Sequence, residues 1–140
     1  MSTHVVSPEQ IAELSRQAEI AAHNAYAPYS QFYVGAAVLL ESGAIVTGCN
    51  VENASYRLTC CAEQTAIARA VAQYGPTIRL RAVAVFNRNA TACQPCGACR
   101  QTIAEFAPPE ARVFFPGAAG ETVSCSVAEL LPGAFKLETA

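Results

Sequence analysis

Residues 61–106 read CAEQTAIARAVAQYGPTIRLRAVAVFNRNATACQPCGACRQTIAEF, and they decide the fold. From about Ala62 to Gln73 the pattern is helical, and Gly75-Pro76 stops it. Leu80 to Asn87 is rich in Val and Ala and reads as a buried strand. A loop follows, then a helix from about Cys96 to Phe106 that Pro108-Pro109 ends. Upstream, Val34 to Leu40 and Ile45 to Val51 are strand-like, and the Ser42-Gly43 turn between them predicts an antiparallel hairpin. Before that, Ser7-Pro8-Glu9-Gln10 is a capping box opening a helix whose apolar face runs Ile11, Leu14, Ala18, Ala21, Ala22, Ala25 before Pro28 ends the region. Downstream, Val113 to Phe115 and Thr122 to Cys125 predict a second antiparallel pair across a Gly-containing link. A further capping box, Ser126-Val127-Ala128-Glu129, opens a short terminal helix. The order α-β-β-α-β-α-β-β-α predicts a three-layer α/β/α domain over residues 1–140, with a mixed sheet of about five strands.

The composition narrows the function classes. Of 140 residues, 52% are hydrophobic and only 14% are charged, against roughly a quarter charged in an average soluble domain. So few charges leave too little to cover a small monomer, which predicts an oligomer. A net charge of −2 and scattered Lys and Arg give no footprint for a phosphate backbone, so no nucleic-acid partner is expected. No apolar stretch approaches the roughly 18 residues a membrane span needs, so no membrane partner is expected. Met1 to Gln10 lacks a basic start followed by an apolar run, and the seven cysteines are an odd number. The expected compartment is the cytoplasm, where clustered cysteines bind metal or do chemistry more often than they cross-link.

Those cysteines cluster with a carboxylate. Cys61-Ala62-Glu63 opens one helix and Pro95-Cys96-Gly97-Ala98-Cys99 opens the next. Zinc prefers tetrahedral sulfur and nitrogen ligands, and a catalytic zinc keeps one position open for water. Cys96 and Cys99, three apart at a helix start, converge on one ion, and Cys61 joins them if the two helices start side by side. Three thiolates with one Zn²⁺ sum to −1, which two positive helix ends partly offset while lowering the thiol pKa values. Glu63, in the same first turn as Cys61, stands near the metal without being needed as a ligand. There it is placed to take a proton from water and deliver it to a substrate nitrogen.

A His or Cys ligand, one residue, Glu, then Pro-Cys-x-x-Cys is the pattern of zinc deaminases. The chain resembles the small cytidine deaminases nearly end to end, including Tyr26-Ala27-Pro28-Tyr29-Ser30, Phe32 with Val34-Gly35-Ala36, Gly48 through Tyr56, and Glu129-Leu130-Leu131-Pro132. The resemblance implies one zinc per chain on Cys61, Cys96 and Cys99, with Glu63 as the catalytic acid–base. It implies deamination of cytidine and deoxycytidine to uridine and deoxyuridine in pyrimidine salvage. It also implies that Asn50 and Glu52 bind the ribose 3′-hydroxyl, Phe32 packs on the base, and the Ala62 N–H meets the pyrimidine carbonyl. Backbone near Ala54 and Tyr56 then lines the 5′ side of the sugar, and Phe135 reaches a neighbour's pocket in a homotetramer with shared sites. One position departs from the commonest three-cysteine pattern: Gln64 stands where many relatives carry Arg, which leaves Arg57 and Arg100 as candidates to offset the thiolates.

Other readings of the same residues compete. A closed structural zinc site with Cys60 or Cys93 as fourth ligand would make the chain an interaction module without catalysis. The metal motifs are shared with deaminases of cytosine-bearing antibiotics of the blasticidin type and with polynucleotide editors. The Asn50-to-Tyr56 segment fits a ribose ligand better than the former, and the pI of about 5.6 opposes the latter. Cys49, Cys60, Cys93 and Cys125 read as small buried hydrophobes or free thiols. Neither histidine, His4 or His23, reads as a ligand. Glu52, Tyr56 and Phe32 have plain readings too, as a solvated charge and two core aromatics.

Overall fold

The structure, a computed structural model, describes residues 5–138, so the expectation for His4 lies outside the described residues. Helix α1 spans Pro8–Ala22. Its capping box forms: Ser7 Oγ accepts from the Gln10 N–H at 3.1 Å, and Gln10 Oε1 accepts from the Ser7 N–H at 3.0 Å. Strands β1 (Val34–Leu40) and β2 (Ile45–Cys49) follow, then α2 (Ala62–Tyr74), β3 (Leu80–Asn87), α3 (Gly97–Phe106), β4 (Arg112–Pro116), β5 (Thr122–Ser126) and the short α4 (Val127–Leu130). The expected order of elements is present, with one addition, a 3₁₀ turn at Tyr56–Leu58.

Two elements end earlier than expected, for one reason. Helix α1 stops at Ala22 rather than continuing through Ala25, because Asn24 and Ala25 donate back only three residues. The Tyr26 N–H then leaves the helix altogether and bonds the Asn50 carbonyl at 3.0 Å. Strand β2 likewise ends at Cys49, and Val51 makes only isolated bridges, to Tyr26 and to Cys60. Long-range backbone pairing at Asn50 and Val51 thus overrides both local patterns.

The sheet order is β2-β1-β3-β4-β5, with β3 and β4 parallel and every other pair antiparallel. Alternation along β1 sorts the two faces. Ala37 and Leu39 pack with Leu14 and Ala18 of α1. Ala36, Val38 and Leu40 join Ala62, Ala66 and Ile67 of α2, Ile103 of α3, and Val127 and Leu130 of α4. All seven residues of β1 are therefore buried. This is the three-layer α/β/α architecture with a mixed five-stranded sheet.

Glycine lets both layers approach closely. A Cβ on Gly35 would lie 2.0 Å from the Ala18 carbonyl oxygen, and one on Gly48 would lie 2.3 Å from the Ala66 backbone nitrogen. Backbone of α1 and α2 thus rests directly on the sheet.

Topology brings the two chemistry-bearing helix starts together. Strands β2 and β3 each pair antiparallel with β1, so they run in the same direction with β1 between them. The chain leaves both at the same end of the sheet, and there α2 and α3 begin. Side-by-side helix starts need a shared strand direction, not adjacent strands.

Candidate active site

Cys61 is the N-cap of α2 and Cys96 the N-cap of α3, both in extended backbone. An N-cap side chain faces the unpaired N–H groups of the first turn, a position that favours negative charge. Glu63 and Cys99 lie in the first turns of their helices and are buried. The sulfurs of Cys61 and Cys96 are 4.0 Å apart, those of Cys96 and Cys99 are 3.5 Å apart, and all three lie within 4.8 Å of one another. Tetrahedral thiolates on zinc at ~2.3 Å would be ~3.8 Å apart, so the three fit such an ion. Among the described residues the cluster holds only these three; Cys60 and Cys93 stand outside it.

The thiols are electrostatically unequal. The Cys99 thiol hydrogen-bonds toward Cys61 and holds the Cys61 pKa down at about 7, while the same contact and burial push Cys99 up. Burial pushes the neighbouring Cys93 thiol up to about 11, aided by the negative charge of Glu63, Cys61 and Cys96. Cys93 is thus a neutral thiol beside a cluster suited to thiolates. Burial also pushes up the pKa of Glu63, which is 4% exposed, against its own backbone amide and the Cys99 thiol, which pull it down.

A cleft of about 210 Å³ opens over these groups, walled by Phe32, Val34, Asn50, Thr59, Ala62 and Glu63. Cys61, Cys93, Gln94, Cys96 and Cys99 complete it. A larger hollow of about 470 Å³, lined by α1, β2 and α2, holds none of the clustered sulfurs. The smaller cleft is where the chemistry lies.

Asn50 is buried at the cleft wall and ties it together. Its Oδ1 accepts from the Val34 N–H at 2.9 Å, and its Nδ2 donates to the Phe32 carbonyl at 2.8 Å. Each end keeps capacity for one further partner. Glu52 is also buried, not the solvated charge of its plain reading. Its Oε1 accepts from the Tyr29 and Ser30 N–H groups at 3.0 and 3.1 Å, and its Oε2 accepts from the Ser30 hydroxyl. The Ser30 hydroxyl above all, and then these amides, hold its carboxyl below the usual range against the effect of burial.

Phe32, Asn50, Ala62, Glu63 and the three cysteines therefore meet in one cleft, and Glu52 does not line it. Ala54, Tyr56 and Phe135 do not line the cleft of their own chain; all are exposed, Tyr56 by 74% and Phe135 by 68%. Thr59, Val34 and Gln94 line it without having been singled out for it, and Cys93, read only as a possible fourth ligand or a free thiol, lines it too. Adjacency to Cys61 and to Pro95-Cys96 was the available signal. Gln64 caps α2, its Oε1 accepting from the Cys61 N–H at 3.1 Å. The Arg100 guanidinium donates to the Pro95 carbonyl at 2.8 Å, the Leu130 carbonyl at 3.0 Å and Gln94 Oε1 at 2.7 Å. Of the two candidate arginines, it is Arg100 that is fastened next to Cys96, whereas Arg57 lies in the exposed 3₁₀ turn.

A buried carboxylate beside three convergent sulfurs, at the mouths of two helices, is the apparatus of a metal-dependent hydrolase. The profile described as the cytidine and deoxycytidylate deaminase zinc-binding region matches residues 8–115. A cytidine deaminase of Halalkalibacterium halodurans is 43% identical over 125 residues, which is 89% of this chain and 93% of that one. The crystal structure of cytidine deaminase from Burkholderia pseudomallei superposes with a TM-score of 0.79 at 43% identity, covering 89% of this chain and 98% of that one. The Mycobacterium tuberculosis cytidine deaminase structure gives 0.79 at 40% identity, over 91% and 98%. The chain belongs to the cytidine and deoxycytidylate deaminase family.

Proposed function

We propose that this protein hydrolytically deaminates cytidine and deoxycytidine, with Cys61, Cys96 and Cys99 holding one zinc per chain. The observation that carries the reading is the convergence of those three sulfurs with buried Glu63 in a cleft walled by Phe32 and Asn50. Zinc in such a site supplies the acidification of water that makes hydroxide available near neutral pH. The remaining work falls to the chain's own groups. The Ala62 N–H, unpaired in the first turn of α2, donates to the pyrimidine carbonyl and orients the ring. Phe32 packs on the face of the base and Asn50 uses its spare capacity on the ribose 3′-hydroxyl. Glu52 supports that contact by holding Tyr29 and Ser30 in place.

Glu63 accepts a proton from water and passes it to N3 as the oxygen adds to C4. The second proton goes to the exocyclic amine through the same carboxylate, the C4–N bond breaks, and ammonia leaves. One water is consumed, and uridine and one ammonia are formed. Raised by burial, Glu63 holds a proton more readily than an exposed carboxylate does, as a shuttle requires.

The site is completed by assembly as a homotetramer. Tyr26, Tyr29, Val51, Tyr56 and Leu58 are large and exposed, with Tyr26 bridged to Val51 and the Tyr29 ring edge-on to Tyr56. Exposed Ala54, Tyr56 and Phe135 then serve the sugar side at subunit boundaries. The chain acts as one catalytic domain in pyrimidine salvage, in the cytoplasm. Ultraviolet spectroscopy of zinc-replete protein with cytidine tests the reading, with Glu63→Ala as control. Conversion to uridine that disappears in the variant supports it; absence of conversion by folded parent protein carrying zinc refutes it.

A further inference from the structure

The loop from Arg88 to Pro95 carries the chain from β3 to Cys96. At its far side the Cys93 N–H donates to the Pro116 carbonyl at 3.1 Å. At its start sits Asn87, 3% exposed. Asn87 Oδ1 accepts from the N–H groups of Asn89 and Thr91, both at 3.1 Å, and its Nδ2 donates to the Thr91 carbonyl at 2.6 Å. The carboxamide thus folds residues 87–91 into a local turn. Ala90 within it has φ 53°, a left-handed conformation that alanine adopts only where neighbours hold it.

This turn presents Asn89 to the segment that carries Phe32. Asn89 Oδ1 accepts from the Tyr33 N–H at 3.1 Å, and its Nδ2 donates to the Gln31 carbonyl at 2.9 Å. One side chain therefore grips the residues on both sides of Phe32. Gln31 is itself left-handed, with φ 58°. The Arg88 N–H reinforces the grip on the Tyr33 carbonyl at 2.9 Å, and its guanidinium lies 5.0 Å from the Tyr33 ring centroid. On the other side, the Phe32 N–H donates to Ser30 Oγ at 3.0 Å and its carbonyl accepts from Asn50. Phe32 is thus held between the sugar-side wall and the loop that leads to Cys96.

We propose that Asn89 is a positioning residue for substrate affinity: its carboxamide clamps the Phe32 segment to the loop carrying Cys96 and so pre-sets the wall on which the base packs. The proposal rests on the reading of this cleft as a pyrimidine nucleoside site. A ring ordered in advance costs less to immobilise on binding, and that saving acts on ground state and transition state alike. Asn89 bonds neither Glu63 nor the cysteines, so its loss raises KM and leaves kcat in place.

The test compares parent, Asn89→Ala and Asn89→Asp in steady-state kinetics with cytidine, alongside zinc content and hydrogen exchange at the Tyr33 amide. In Asn89→Ala, KM rises roughly three- to tenfold, as loss of two modest hydrogen bonds allows. In the same variant kcat stays within about twofold, zinc content is unchanged, and the Tyr33 amide exchanges faster. Asn89→Asp keeps the acceptor for Tyr33 and recovers part of the loss in KM. Unchanged KM in Asn89→Ala overturns the proposal, and so does a fall in kcat at constant KM. A parent chain that converts no cytidine overturns the deaminase reading and the proposal together, whereas an active parent with an indifferent variant overturns the proposal alone.

Discussion

Glu63 is a carboxylate inside the protein, where the neutral form is favoured, beside sulfurs that favour a nearby cation. That opposition is what a proton carrier needs. Glu63→Gln keeps the shape of the side chain and removes its basicity. Turnover of cytidine should fall by at least ~10²-fold, the scale of general acid–base assistance, while zinc measured by atomic absorption stays at the parent level. Glu52 makes a different demand. Its folded pKa is depressed, so its contribution to stability is fully present above the unfolded value of about 4.3 and disappears as pH falls through the folded value. Denaturant titrations of parent and Glu52→Gln should therefore diverge at neutral pH and converge in acid. Curves equally separated at pH 7 and well below pH 4 would contradict that assignment. The convergence of Cys61, Cys96 and Cys99 near Glu63 was legible, because Cys-x-Glu and Pro-Cys-x-x-Cys each stand at a helix start. It was not legible that Asn50 and Glu52 spend much of their hydrogen-bonding capacity on the backbone, since those partners lie far along the chain.

Elements of this protein touch through backbone more than through side chains. Gly48 lies under α2, and an added methyl would meet backbone nitrogen and carbonyl groups that cannot swing aside. Gly48→Ala should destabilise the fold by roughly 2–3 kcal/mol, at the upper end of overpacking. That corresponds to a Tm lower by about 5–10 °C, measurable by scanning calorimetry. Arg100 joins the start of α3, the end of α4 and Gln94. In zinc-loaded protein, Arg100→Ala should speed zinc loss to a chromogenic chelator several-fold, with Arg100→Lys intermediate. Helix and strand existence was readable from capping boxes and alternation, as at Ser7-Gln10 and along Val34–Leu40. The early ends of α1 and β2 were not, because Tyr26 and Asn50 pair with each other across the chain. The 3₁₀ turn at Tyr56–Leu58 escaped for want of any periodic signal in so short a stretch.

At the scale of the molecule, the low share of charged residues becomes an exposed aromatic surface around Tyr29 and Tyr56. Sedimentation equilibrium should find tetramers in the parent, and Tyr56→Glu, which places charge in that surface, should shift mass toward smaller species with weaker turnover. Full-size tetramers in Tyr56→Glu would count against this face as the contact. An interior strand, β1, carries another consequence. Residues 34–40, Val-Gly-Ala-Ala-Val-Leu-Leu, are wholly shielded when the sheet is complete. Before then, they are an uncharged, proline-free segment able to pair with the same segment of another chain. Strand β1 finds β3 only after the intervening chain has closed, pairing Val34 with Asn87. The strand that organises the finished molecule is therefore the one that makes its refolding sensitive to protein concentration.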